Sequence, residues 1–287
     1  MEIKVFTKDS ANSNTSDDFP LEKLGRKLVW NDEFAGTSLN EEQWTNARLM
    51  DNLVATYDNS EKNLRVENNN LYMQVNRLDD GSYTLSESVT TKNRMSFKYG
   101  YLEMRAKLPY RHAAWPSLWM LADRDYHDES IGWCAEIDIL EVFSSASELS
   151  ANLHKWGDGN SGHEDISNIS SKKDRSYKFS NPDTLNDEYH IYGFAWDKDK
   201  MQFFVDGVLY YEILINENSP FVSETYNNTD GFHEPVYIIL NNEIFTDKLD
   251  WYPENGCITD EDEMPIDYYV DYIRLYQDSE QESIYFK

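Results

Sequence analysis

Cysteine is nearly missing from this 287-residue chain: Cys134 and Cys257 are the only two. A disulfide framework is thereby excluded, and the positions of the two thiols do not say whether they pair. No apolar run is long enough to span a bilayer. The first residues, Met1-Glu2-Ile3-Lys4-Val5-Phe6, lack the basic and apolar regions of a secretory leader. Either the protein acts in the cytoplasm or its leader is not part of this sequence. Internal linkers rich in Pro, Gly or Ser, long low-complexity tracts and repeats are missing as well. The chain therefore divides into a flexible segment over residues 1–22, Ser-, Asn- and Asp-rich between Thr7 and Phe19, a single domain over 23–278, and a tail over 279–287.

Positive charge is also scarce, with 26 Lys and Arg against 53 Asp and Glu and a formal net charge of −27. Nucleic acid, anionic lipid and heavily sulfated polymers would be repelled, so a neutral partner is favoured. Solubility through a charged surface accounts for most of these acids whatever the function. Aromatic residues are plentiful, 14% of the chain with 20 Tyr and 8 Trp, which suits strands and equally suits the C–H faces of sugar rings.

Amphipathic helical spacing is rare and strand signals recur at short intervals. Tyr101 to Leu108 alternates cleanly, with Tyr101, Glu103, Arg105 and Lys107 on one face and Leu102, Met104, Ala106 and Leu108 left for a core. Asn68-Asn69-Asn70 suits a turn with positive φ, and Asp206-Gly207 a two-residue hairpin. Many short aromatic strands predict an all-β fold, a two-sheet antiparallel β-sandwich of jelly-roll type whose curved, concave sheet supplies a cleft.

One strand breaks its own rule. Ala135-Glu136-Ile137-Asp138-Ile139-Leu140-Glu141-Val142-Phe143 sets three carboxylates in an aliphatic run. On a regular strand Glu136 and Asp138 share a face and Glu141 points the other way. One extra residue at Ile139-Leu140, a β-bulge, returns Glu141 to the carboxylate face. Glu136 and Glu141 then lie like positions i and i+4, roughly 13 Å apart at Cα on a strand rising ~3.3 Å per residue. Side chains leaning inward bring the carboxyls near the ~5–5.5 Å that a retaining glycosidase needs. Asp138, between them, is placed to hold one carboxylate ionised and to crowd the other toward its protonated form. A solvated edge strand is the plain alternative for the run taken alone.

The whole pattern resembles glycoside hydrolase family 16. The resemblance is carried by Glu136-Ile137-Asp138-Ile139-Leu140-Glu141, in the bulged E-x-D-x-x-E form, and by ordered matches from Leu28 to Phe34, at Thr90-Thr91-Lys92, and over Tyr99 to Arg105. Further matches are Trp115-Pro116-Ser117-Leu118-Trp119, Phe204-Val205-Asp206-Gly207 and Val270 to Tyr276. It implies Glu136 as nucleophile, Asp138 as its orienting partner and Glu141 as acid/base in a retaining mechanism. It also implies a cleft lined by Trp115, Trp119 and His154, with Trp133 as a further sugar platform. A structural calcium away from the chemistry would correspond to Glu33, a carbonyl near Asn69, and Asp271. No cofactor is implied for the reaction itself.

The expected function is endo-hydrolysis of a neutral polysaccharide, first a β-1,3- or mixed-linkage glucan, then an agar-like galactan. Transglycosylation on the same scaffold and a non-catalytic glycan-binding module are the other readings. Family likeness implies an extracellular place of action, and a monomer is expected.

Overall fold

The computed structural model describes residues 25–49, 55–123, 134–144, 146–156, 163–165, 175–219, 222–223, 226–227, 232–246, 256–278 and 283–287. The segment read as flexible, 1–22, lies outside them. Among the described residues the fold is all-β, with one helix of four residues at Thr184–Asp187. Two ten-stranded sheets, antiparallel except where Ala55–Tyr57 pairs parallel with Tyr83–Leu85, form a sandwich.

The first sheet runs in the order Val208–Leu214, Lys200–Val205, His190–Trp196, Gly100–Lys107, Ile266–Asp278, Asn70–Arg77, Tyr83–Leu85 and Ala55–Tyr57. Arg26–Asp32 adds to Ile266–Asp278 and Leu64–Glu67 to Asn70–Arg77. The second runs His163–Asp165, Glu148–Trp156, Cys134–Val142, Ala114–Ala122, Val236–Ile244, Ser88–Thr90 and Thr45–Ala47. Period-two alternation fills the space between the sheets. Leu102, Met104 and Ala106 of the first sheet meet Leu118, Met120, Ile137, Ile238 and Leu240 of the second in one buried cluster.

Turn chemistry agrees with the residues present. Asn68 and Asn69 have φ of 51° and 56°, and Asp206 and Gly207 have 49° and 76°, so both hairpins take two left-handed residues in succession. Gly100 is required where it stands: at φ 125° its missing Cβ would meet the Tyr276 carbonyl oxygen at 2.6 Å.

The tail read over 279–287 is partly built into the sheet. Ile284–Phe286 pairs antiparallel with Met95–Phe97, and Lys287 Nζ lies 2.6 Å from Asp123 Oδ1. Cys134 and Cys257 are both buried.

Candidate active site

The acids lie on Cys134–Val142, between Ala114–Ala122 and Glu148–Trp156. Pairing on both sides shows where the strand departs from regularity. Asp138 faces Asn152 and Glu141 faces Ser150, so three steps on the acid strand match two on its neighbour. On the other side Leu140 faces Leu118 while Asp138 faces Trp119, so Ile139 is the extra residue. The bulge has an energetic reason: Ile139 and Leu140, consecutive in sequence, both lie in the main core. Burying each is worth roughly 1.5–3 kcal/mol, and the kink that lets both enter turns Glu141 outward.

Cross-strand register then sets the rows of the outer face. One row holds Ser150, Glu141, Ser117 and Asn241; the next holds Asn152, Asp138, Trp119 and Ile239; the third holds His154, Glu136, Leu121 and Tyr237. Glu136, Asp138, Glu141, Trp115, Trp119 and His154 are thus brought onto one side of the sheet. Trp133 lies outside the described residues.

Each acid has different company. Asp138 is buried and its Oδ2 is 3.2 Å from His154 Nε2; half-buried Glu136 places Oε1 3.9 Å from the same nitrogen. Glu141 is buried, with Oε1 accepting from the Trp115 indole N–H at 2.9 Å and Oε2 accepting from the Asn152 amide. Burial, then the charge of Asp138, raises the Glu141 carboxyl to about 8, against the pull of its hydrogen bonds and of His154. Burial works against a charged His154, but its hydrogen bond to Asp138 and the three carboxylates outweigh that and raise it to about 9. At neutral pH the site holds a protonated Glu141 and an imidazolium. A ring nitrogen of His154 and one oxygen each of Glu136 and Asp138 lie within 4.8 Å of one another. A protonated imidazole has no lone pair for a metal, so His154 here offsets one of the two carboxylate charges rather than acting as a ligand.

The tryptophans divide in role. Trp115 stacks on Phe245, centroids 4.8 Å apart and planes 11° apart, and on Phe143 at 6.2 Å, so its ring is packed while its N–H holds Glu141. Trp119 is half-buried and donates to Asn241 Oδ1 at 2.6 Å. It packs with Leu49, Leu121, Tyr237 and Ile239 in an apolar cluster separate from the main core.

Asn152, Asn241 and Glu243, the last accepting from the Tyr57 hydroxyl at 3.0 Å, are polar residues of this face not singled out as site residues from sequence. A signal for Asn152 was present: Ser150, Asn152 and His154 alternate with Ala151 and Leu153.

The residues matched to calcium do not fit the ion. Both carboxylate oxygens of Glu33 accept from Arg274, at 2.8 and 2.9 Å, and Oε1 also accepts from Asn31 at 3.0 Å. Asp271 Oδ2 accepts from Arg105 at 2.6 Å. The positive charge a cation would bring is already supplied by two guanidinium groups.

Two glutamates and an aspartate thus share the outer face of an antiparallel sandwich, one of them held protonated by burial and a neighbouring carboxylate. The chain belongs to glycoside hydrolase family 16: the profile described as "Beta-porphyranase A-D, GH16 domain" matches residues 28–278. It is 27% identical over 277 residues to glucan endo-1,3-beta-glucosidase A1 of Niallia circulans, covering 88% of this chain and 38% of that protein. It is 26% identical over 271 residues to a keratan-sulfate endo-1,4-beta-galactosidase of Sphingobacterium multivorum, covering 88% and 55%. The catalytic domain of an endo-1,3-beta-glucanase (laminarinase) from Thermotoga petrophila superposes with a TM-score of 0.67 at 26% identity, over 88% of this chain and 98% of that one. The chain thus spans well under two thirds of both relatives compared by sequence. Among the described residues no helix is long and apolar enough to cross a membrane.

Proposed function

We propose that this protein is an endo-acting, retaining β-glycanase that cuts a neutral polysaccharide, first a β-1,3- or mixed-linkage glucan. The observation that carries this reading is the bulge at Ile139, which sets Glu141 on the face of Glu136 and Asp138 while burial keeps Glu141 protonated. In this mechanism the Glu136 carboxylate attacks the anomeric carbon as Glu141 gives its proton to the departing glycosidic oxygen. Glu141, then ionised, takes a proton from the water that releases the sugar from Glu136. The imidazolium of His154, close to both Glu136 and Asp138, holds Glu136 in line and offsets part of the negative charge on the strand.

The glucan preference draws on the glucanase relatives and on the net charge of −27, which disfavours an anionic polymer. An agar-like galactan is the second reading, supported by the porphyranase description of the matching profile and by the galactosidase relative. Either polymer is too large to enter a cell intact, so action outside the cell follows from the same proposal.

The test is to incubate purified protein with laminarin, mixed-linkage glucan, agarose and porphyran and to follow product lengths by chromatography. Shortening oligosaccharides from the glucans alone are expected. Cleavage of the galactans alone would overturn the substrate preference, and products longer than the substrate would show transglycosylation.

A further inference from the structure

Glu141 is held from two sides by donors on different strands, and only one of them is explained by the readings above. Trp115 Nε1 donates to Oε1 from Ala114–Ala122. The amide of Asn152, on Glu148–Trp156, donates to Oε2, and the Asn152 carbonyl oxygen in turn accepts from Arg175 Nη1. Arg175 is itself fixed in place: the Ala151 N–H donates to its backbone carbonyl at 2.9 Å, and its Nη1 returns to the Ala151 carbonyl at 3.1 Å.

We propose that Asn152 and Arg175 form a positioning relay for Glu141, in which Arg175 locks the Asn152 amide with its N–H toward the carboxyl and so fixes the direction in which Glu141 presents its proton. The inference rests on the acid/base reading of Glu141 for its catalytic meaning, but its geometry does not depend on the substrate.

An asparagine amide can turn over, exchanging a donor for an acceptor at nearly the same place. Which end faces Glu141 decides what Glu141 can do. A guanidinium only donates, so the oxygen of Asn152 must face Arg175 and its nitrogen must face Glu141. The indole N–H of Trp115 likewise only donates. A protonated Glu141 thus finds no acceptor in either flanking partner, and its O–H is left to point away from both. Were the amide reversed, the Asn152 oxygen would accept that proton and keep it from the glycosidic oxygen.

The other charged or titratable groups around Glu141 are Asp138 and Glu136 on its own strand and His154 beyond Asn152 on the next; Glu243 pairs with Trp115 from the far side. All four remain in the variants below; Asn152→Ala leaves every charge in place, so its shift reports the hydrogen bond, whereas Arg175→Met removes a charge as well as a donor. The burial that holds Glu141 near pH 8 is opposed by the Asn152 hydrogen bond. Removing a donor to the ionised form raises the midpoint.

The experiment is a pH titration followed by the 1H–15N resonance of the Trp115 indole, identified by its loss in Trp115→Phe. This N–H touches Glu141 and needs no substrate. The wild-type resonance is expected to titrate near pH 8. Asn152→Ala and Arg175→Met should each move the midpoint up by about one pH unit, the size of a hydrogen bond to a charged group. Arg175→Lys, which keeps a cationic donor, should stay close to wild type. Unchanged or lowered midpoints in Asn152→Ala and Arg175→Met would overturn the proposal. So would a loss of thermal stability without a shift, which is what an arginine serving only to tie two strands together would give. If Asn152→Ala does not fold, Arg175→Gln decides: it keeps an N–H donor without the charge, so a midpoint near wild type upholds the relay and one raised as far as in Arg175→Met overturns it. With laminarin as substrate, the alkaline limb of kcat/KM should shift with the resonance while KM stays constant. A wild-type protein that titrates as expected but cuts no polysaccharide would sink the glycanase reading and leave the relay standing.

Discussion

Two groups of three acids lie on the outer faces of opposite sheets, and each is built around a bulge. On the second sheet the extra Ile139 brings Glu141 beside Asp138 and Glu136. On the first, a register shift between Val270 and Tyr272 marks the place of Asp271, on the strand that carries Arg274 to Glu33 and Glu103. The counter-charges differ. Glu33 and Asp271 face Arg274 and Arg105, whose guanidinium groups stay charged at any working pH. Arg274 also lies over the Tyr272 ring, 3.8 Å from its centroid, and leans toward Glu103 at 3.9 Å. The carboxylates of the second sheet face a titratable imidazole, an indole and an amide. Glu103, buried beside Arg274, is raised to about 7 by burial against the pull of that arginine, so what separates the two groups is the partner: fixed guanidinium charge on the first sheet, a titratable imidazole and neutral donors on the second. The first arrangement fits stability and the second fits chemistry.

That contrast is broken most sharply by removing one charged side chain from each side. Glu136→Ala should lower the rate of polysaccharide cleavage by ~10³-fold or more while leaving the melting temperature nearly unchanged. Rates of reducing-end release together with a thermal melt check both halves. A variant that kept full activity would remove Glu136 from the mechanism.

Arg274→Ala should do the reverse. It strands buried Glu33 without its bidentate partner, at a cost of about 3 kcal/mol, and activity per folded molecule should hold. Urea unfolding with parallel assays would measure it, and a cost near zero would mean that the pair is screened like a surface ion pair.

A third effect concerns pH. Glu141 has a folded value of about 8, raised from 4.5, so between those limits the native state holds the extra proton and this group's contribution falls as pH rises. His154, raised from 6.5 to about 9, contributes stability that is fully present below 6.5 and lost through 9. Unfolding free energy should therefore decline from pH 6 to 9. The decline should shrink in Glu141→Gln, which has no proton to lose; an equal slope in both proteins would place the titration elsewhere.

The acid strand was legible because periodicity two leaves a spacing of five unexplained, and only an added residue repairs it. The hairpin at Asp206-Gly207 and the left-handed Asn68-Asn69 were legible for a similar local reason, since few residues tolerate those angles. Trp115 was harder. Its place near the acids could be inferred, but its service as donor to Glu141, with its ring packed on Phe245, depends on a partner 130 residues further along the sequence.

By itself, then, the sequence determined what short-range geometry controls: which side chains share a face, where turns must be left-handed, and that the strand from Glu136 to Glu141 must carry a bulge. Tertiary structure alone decided what sits opposite those side chains. Cross-strand register placed Asn152 against Asp138 and beside Glu141, and antiparallel pairing brought Arg175 back to Ala151. The same kind of long-range pairing gave Glu33 and Asp271 to arginines, where the family likeness had implied calcium. The physical reason is that a carboxylate's behaviour is set by the charges and donors within a few ångströms of it, and in a β-sandwich most of those arrive from other strands.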